Sequence, residues 1–170
     1  MPSTTTVSNI PKCGRQPTKC LKMGILIDNR QTSQRIPLGD MREKALAVLD
    51  ALDNPEAELS IVFVDDEGIA DLNRQYLKRE GATNVIAFPM REGAYSDISP
   101  QLLGDVVISV DTAERESKMA GLTMETRLEE LLVHGILHLF GYDHETNQQD
   151  ARQMEKKHLE LIHLIRTHHK

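Results

Sequence analysis

Three of the seven histidines, His134, His138 and His144, fall within eleven residues of one another. The first two are four apart in a segment with helical periodicity, Leu131-Leu132-Val133-His134-Gly135-Ile136-Leu137-His138-Leu139-Phe140-Gly141-Tyr142-Asp143-His144. Side chains at i and i+4 project from one face of a helix about one turn apart, which lets two imidazole nitrogens share a tetrahedral ion. Gly141 is placed to take a positive φ and end the helix, so that the chain turns back and brings His144 toward the pair. Three neutral nitrogen donors with a fourth position open to water describe a catalytic zinc site rather than a closed structural one. Imidazoles on a leucine-rich face also need partners once buried, and one ion serves several.

A metal with an open position lowers the pKa of its water toward about 7 and polarises carbonyl or phosphoryl oxygens, so hydrolysis is the expected chemistry. The histidine spacing matches the extended zinc-protease pattern His-Glu-x-x-His-x-x-Gly-x-x-His, but Gly135 stands where that pattern has its Glu. A peptide or amide hydrolase working through that carboxylate would therefore lack its general base.

The elements that must position these residues can be read along the chain. Residues 1 to 23 are Ser/Thr/Pro/Lys-rich without hydrophobic period and are expected to form a disordered leader, with Met23 a candidate start; 24–170 is expected to be one domain. Gly24–Asp28 reads as a short strand. Met41, Ala45, Leu46, Val48, Leu49 and Leu52 recur at helical spacing until Asp53-Asn54-Pro55. Leu59–Val64 reads as a buried strand, followed by a helix capped at Asp65-Asp66 that carries Ile69, Leu72, Tyr76 and Leu77. A third strand over Asn84–Pro89 and a fourth over Gly104–Val110 flank a Gly/Ser/Pro loop. Helices are expected from Asp111 to about Ala120, from Met124 to Phe140 with Thr123 as cap, and from Gln148 onward. This alternation predicts a single α/β (or α+β) layered domain.

Composition agrees. The chain has 170 residues, 39% hydrophobic and 27% charged, a balance suited to one globular core; at 4% aromatic and without Trp, that core must be aliphatic. No apolar run is long enough to cross a membrane, and no secretory h-region precedes Gly24, so a cytoplasmic location is expected. Cys13 and Cys20 can pair or remain two idle thiols, and are too few for a zinc site. A net charge of −6 disfavours a general nucleic-acid coat but leaves room for a local basic groove. Arg74, Lys78, Arg79 and Arg91 form such a stretch, and Tyr76, Phe88, Tyr95 and Tyr142 are the rings available for stacking a single strand. His158, His163, His168 and His169 are expected on an exposed face of the last helix.

The chain resembles the YbeY family of metal-dependent endoribonucleases. Residues 134 to 144 are similar to that family's His-Gly-x-Leu-His-Leu-x-Gly-Tyr-Asp-His signature. Leu72-Asn73 with Thr83-Asn84-Val85-Ile86-Ala87-Phe88-Pro89 is similar to its Leu-Asn and Thr-Asp/Asn-Val-Leu-Ser-Phe-Pro blocks, and Gly104-Asp105-Val106-Val107-Ile108-Ser109 to its Gly-Asp-x-x-Ile-Ser/Cys strand. Order and spacing agree from about Ile25 to His163. The resemblance implies a four-stranded, mostly parallel sheet packed against helices, with a three-His zinc site at a helix end. Its ligands would be His134, His138 and His144, binding one Zn²⁺ per chain. It further implies cleavage of single-stranded RNA in late small-subunit (16S-type) rRNA 3′-end maturation and ribosome quality control, with ribosomal RNA and the small subunit or its proteins as partners.

The family usually has an Arg directly after the aromatic residue that comes behind Leu-Asn; here Tyr76 is followed by Leu77, then Lys78 and Arg79. Arg79 or Lys78 is the candidate phosphate contact. Asp143 is expected to steady an imidazole through a hydrogen bond. Ionised water on the metal, Asp143 and Glu145 remain open as general base. Two other readings stay in view: a ribosome-assembly binding factor with a structural zinc, and a zinc hydrolase of peptides or amides.

Overall fold

The computed structural model describes residues 24–91, 100–143 and 147–168. The expected leader (residues 1–23), Tyr95, His144, Glu145 and His169 lie outside them.

Four strands form one sheet: β1 (Ile25–Asn29), β2 (Glu58–Val64), β3 (Val85–Pro89) and β4 (Leu102–Ser109). Their order is β1-β2-β4-β3, with β1, β2 and β4 parallel and β3 antiparallel at one edge. The sheet is therefore mostly parallel, as expected. Five α-helices accompany it among the described residues: α1 (Leu38–Ala51), α2 (Asp66–Leu72), α3 (Val110–Ala120), α4 (Met124–Leu139) and α5 (Gln148–His168).

Alternation along each strand sorts the side chains into two apolar layers. Leu59, Ile61 and Phe63 of β2 and Val106 and Ile108 of β4 face the main core, shared with α1, α3, α4 and α5. Val64, Ile86 and Val107 face a smaller layer under Ile69 of α2. Helix caps obey the sequence signals. Asp65 accepts the Gly68 N–H at 2.8 Å, and Thr123 Oγ1 accepts the Thr126 N–H at 3.1 Å.

Two departures alter the helical faces. Leu46, whose spacing places it among the apolar positions of α1, is 43% exposed, while Lys44 is 3% exposed and ion-paired within the fold. The helix expected to run from Asp66 through Leu77 instead widens into a π-helical turn over Asn73–Leu77. That turn ends at Lys78, which takes a left-handed φ of 56°.

Candidate active site

α4 packs against β3 and β4, and the approach is close at Gly135. A Cβ built there would lie 2.6 Å from Val106 Cγ1 and 3.3 Å from Val85 Cγ2. His134 and His138 flank this contact, so the helix holds both imidazoles beside the edge of the sheet. Their Nε2 atoms lie 3.1 Å apart, with the rings edge to face at 4.6 Å. Two nitrogens 2.0–2.1 Å from one tetrahedral zinc are about 3.3 Å apart. The donor set therefore fits a shared ion, and α4 brings its two members together. His144, the expected third ligand, lies outside the described residues, and among those residues there is no cluster of three or more metal-ligating side chains.

The chain reversal after α4 is set by Gly141. It takes φ 82°, its N–H donates to His138 C=O at 3.0 Å, and the Tyr142 N–H donates to Leu137 C=O at 3.1 Å. This pair of bonds is a Schellman closure, and it returns the chain past His138.

Two cavities meet at the histidines. The larger, about 720 Å³, is lined by His138, Phe140, Gly141, Tyr142, Asp143, Asp150 and Gln153. The second, about 550 Å³, is lined by Leu77, Arg79, residues 83–87, Pro89, His134, Gly135, His138 and Asp143. His138 and Asp143 belong to both. Of the two candidate phosphate contacts, Arg79 lines the second cavity. Lys78 does not line it; its Nζ donates to the Gln75 backbone carbonyl at 2.9 Å. The π-helical turn accounts for the difference: Asn73 is buried with its Nδ2 on Gly81 C=O at 2.9 Å, and the Arg79 N–H reaches back to Asn73 C=O at 3.3 Å. A turn with one residue more than an α-turn rotates the next residues around the helix axis, and such turns recur at functional sites.

The other members of the basic stretch lie apart from this groove. Arg74 pairs with Asp71 at 3.2 Å and Glu80 at 3.7 Å. Arg91 stacks over Phe140 at 5.6 Å and donates to Asn54 Oδ1 at 3.1 Å. Among the rings, Tyr76 meets Phe88 edge to face at 5.4 Å, and Phe88 packs against the smaller apolar layer. Tyr142 packs on the main core and lines the larger cavity.

The sequence predicts an exposed face for His158. The structure instead turns it inward: its Nε2 lies 3.1 Å from Glu130 C=O, and its ring is 6.3 Å from that of His134. His163 is exposed, as expected. A small cavity of about 170 Å³ behind His134 is lined by Asn84, Arg127, Glu130, Leu131 and His158. Its polar walls are joined, with Arg127 donating to Glu116 at 2.8 Å and to Glu130 at 2.9 Å, and Asn84 donating to Glu116 at 3.1 Å. Burial opposes the Arg127 charge, but these carboxylates outweigh it and raise its pKa. The helical spacing of Arg127, Glu130 or Leu131, His134 and His138 carried a signal for this arrangement, since all lie on one face of α4.

The position after His134 explains why the zinc-protease comparison fails. Residue 135 faces the sheet, and no carboxylate side chain fits between α4 and Val106.

The family model "Endoribonuclease YbeY" matches residues 26–166. An endoribonuclease YbeY from Syntrophotalea carbinolica is 47% identical over 146 residues, covering 85% of this chain and 97% of its own length. One from Geobacter sulfurreducens is 46% identical over 144 residues, covering 84% and 96%. The solution structure of a Thermotoga maritima protein superposes with a TM-score of 0.61 at 25% identity, covering 83% of this chain and 88% of that one. With the fold and these relatives in agreement, the chain belongs to the YbeY family of endoribonucleases, enzymes that hydrolyse phosphodiester bonds in RNA.

Proposed function

We propose that this protein is a zinc-dependent endoribonuclease that cuts single-stranded RNA, and that it acts on the 3′ region of small-subunit rRNA late in maturation, in contact with the small ribosomal subunit in the cytoplasm. The observation that carries the reading is the convergence of His134 and His138, Nε2 to Nε2, where two cavities meet and Arg79 lines the same groove. In this reading His134, His138 and His144 hold one Zn²⁺ per chain. Bound there, zinc supplies a Lewis acid for a phosphoryl oxygen and a lowered pKa for attacking water.

The chain's own residues do the remaining work. Arg79 receives the non-bridging oxygens of the scissile phosphate, where negative charge grows during in-line attack. Asp143, on the wall common to both cavities, steadies the imidazole arrangement. Leu77 lines the same cavity as Arg79, so an arginine at 77 would add a second cation to it.

Cleavage of labelled single-stranded RNA carrying the small-subunit rRNA 3′ region tests this, with metal content measured on each preparation. Wild type is expected to cut with one zinc per chain, and His138→Ala to lose metal and activity together. Arg79→Ala is expected to keep the metal and lose about 100-fold in kcat/KM, and Leu77→Arg to raise the rate. A wild type that holds one zinc and cuts nothing overturns the nuclease reading and supports an assembly factor with a structural zinc.

A further inference from the structure

β3 is an edge strand, and its pairing parity is fixed by the bonds at its two ends. The Ser109 N–H donates to Asn84 C=O at 2.9 Å, and the Met90 N–H donates to Leu103 C=O at 3.0 Å. Both fit the register Val85↔Ile108 to Pro89↔Gly104. In an antiparallel ladder hydrogen-bonded pairs alternate, so Asn84, Ile86, Phe88 and Met90 turn their main-chain groups toward β4. Val85, Ala87 and Pro89 turn theirs outward. The Val85 N–H is already taken by the Asn84 side chain at 2.8 Å, and Pro89 has no N–H. Among the described residues, Ala87 therefore offers the single uncommitted main-chain donor on the outer edge of β3, between the carbonyls of Val85 and Ala87. Val85 and Ala87 line the 550 Å³ cavity that also holds His134, His138 and Arg79. An open edge of this kind is a ready template for hydrogen bonding to an extended ligand.

We propose that the outer edge of β3 reads the Watson–Crick edge of an unpaired RNA base, with the Ala87 N–H donating to a base acceptor and the Val85 or Ala87 carbonyl accepting from the neighbouring base N–H. This rests on the RNA-cleaving function proposed above and adds where selectivity for single strands comes from. Every base carries an acceptor beside a donor on that edge, and a duplex consumes both, so only an unpaired nucleotide can engage β3. Arg79 in the same groove supplies the counter-charge for the attached phosphate, and the cavity volume lies in the range for a ligand of nucleotide size.

The test compares oligouridylate with an oligomer of 3-methyluridine of equal length, in binding and in cleavage. The methyl group removes the base N–H and blocks its edge without changing charge. Wild type is expected to bind the methylated strand about fivefold more weakly. Ala87→Pro deletes the outward N–H at a position where an edge strand tolerates proline, and is expected to raise KM for oligouridylate more than it lowers kcat. Equal wild-type affinity for the two oligomers, or an Ala87→Pro protein whose KM for oligouridylate equals that of wild type, overturns the proposal. Should the proline variant not fold, the wild-type Ala87 amide resonance decides: it is expected to shift on saturation with oligouridylate, and an unmoved resonance overturns the proposal. Discrimination in binding without any cleavage overturns the nuclease function alone and leaves the edge reading standing.

Discussion

Gly135 shows how one missing side chain sets the geometry of the paired histidines. Its hydrogen faces Val106, and the 2.6 Å separation for an added Cβ is shorter than any relaxed carbon–carbon contact. α4 can lie this close to β3 and β4 only with glycine here, and His134 and His138 take their height above the sheet edge from that spacing. Gly135→Ala is expected to destabilise the protein by about 1–3 kcal/mol and to weaken binding of the proposed zinc, because α4 must lift or Val106 must move. Val106→Ala alone leaves a small void and is destabilising too. In the double variant the new methyl occupies the vacated space, so the two losses should not add; a coupling of about 1 kcal/mol or more in urea unfolding is expected, with binding of the proposed zinc partly restored. Strict additivity would show that the contact does not hold α4 in place. The histidine spacing and the glycine that ends α4 at 141 were both legible from local sequence, since each depends on residues within one or two turns. The reason for Gly135 was not, because Val106 approaches from a strand far away in the chain.

At the scale of elements, α1, α4 and α5 are joined by a buried ionic network. Lys44 Nζ lies 2.7 Å from Glu129 Oε1 and 3.1 Å from Glu125 Oε1, and it also bonds Asp40. The other oxygen of Glu129 accepts Arg166 Nε at 2.9 Å. Burial alone would favour neutral Lys44, but the hydrogen bonds it donates to Asp40, Glu129 and Glu125 outweigh it and raise its pKa above the ordinary lysine value. Removing one partner from a buried network leaves the other uncompensated, so Lys44→Met is expected to cost about 3 kcal/mol. Adding Glu129→Leu to that variant replaces the stranded charge with an apolar group and should recover part of the loss in urea unfolding; a double variant less stable than Lys44→Met would argue against the network. Periodicity placed the helices and strands because burial repeats at 3.6 and 2 residues. It placed Leu46 inward and gave no role to Lys44 because Glu129 and Arg166, which make that position habitable for a charge, come from helices remote in sequence. The π-helical turn over Asn73–Leu77 was illegible for a similar reason: the buried Asn73 is anchored to Gly81, beyond the end of the helix.

For the whole molecule, the segments that follow β1, β2 and β4 are tied together by two aspartates at the starts of α2 and α3. Asp66 Oδ1 accepts Ser109 Oγ and Thr112 Oγ1, both at 2.6 Å, and Asp66 Oδ2 accepts Arg115 Nη1 at 2.6 Å. Asp111 takes the Asp66 N–H at 3.1 Å and Ser33 Oγ at 3.1 Å. Burial works against the Asp66 charge, yet the bonds from Arg115, Ser109 and Thr112 prevail and hold its pKa at about 2, against 3.8 for an unperturbed aspartate. A carboxylate with a depressed folded-state pKa contributes stability that is complete above the unfolded value and lost as pH falls toward the folded one. The window for Asp66 is therefore about pH 4 down to about pH 2. With its side chain 31% exposed, solvent screening reduces the contribution to about 1–2 kcal/mol. Urea midpoints of the wild type should accordingly hold steady from pH 7 to about 5 and fall below pH 4. Asp66→Asn keeps an acceptor for the hydroxyls but removes the titrating charge, so it should be less stable at pH 7 and have a shallower acid limb, the two proteins converging near pH 2. An unchanged acid limb in Asp66→Asn would assign the acid sensitivity to other carboxylates and leave Asp66 as a neutral hydrogen-bond acceptor in its effect on folding.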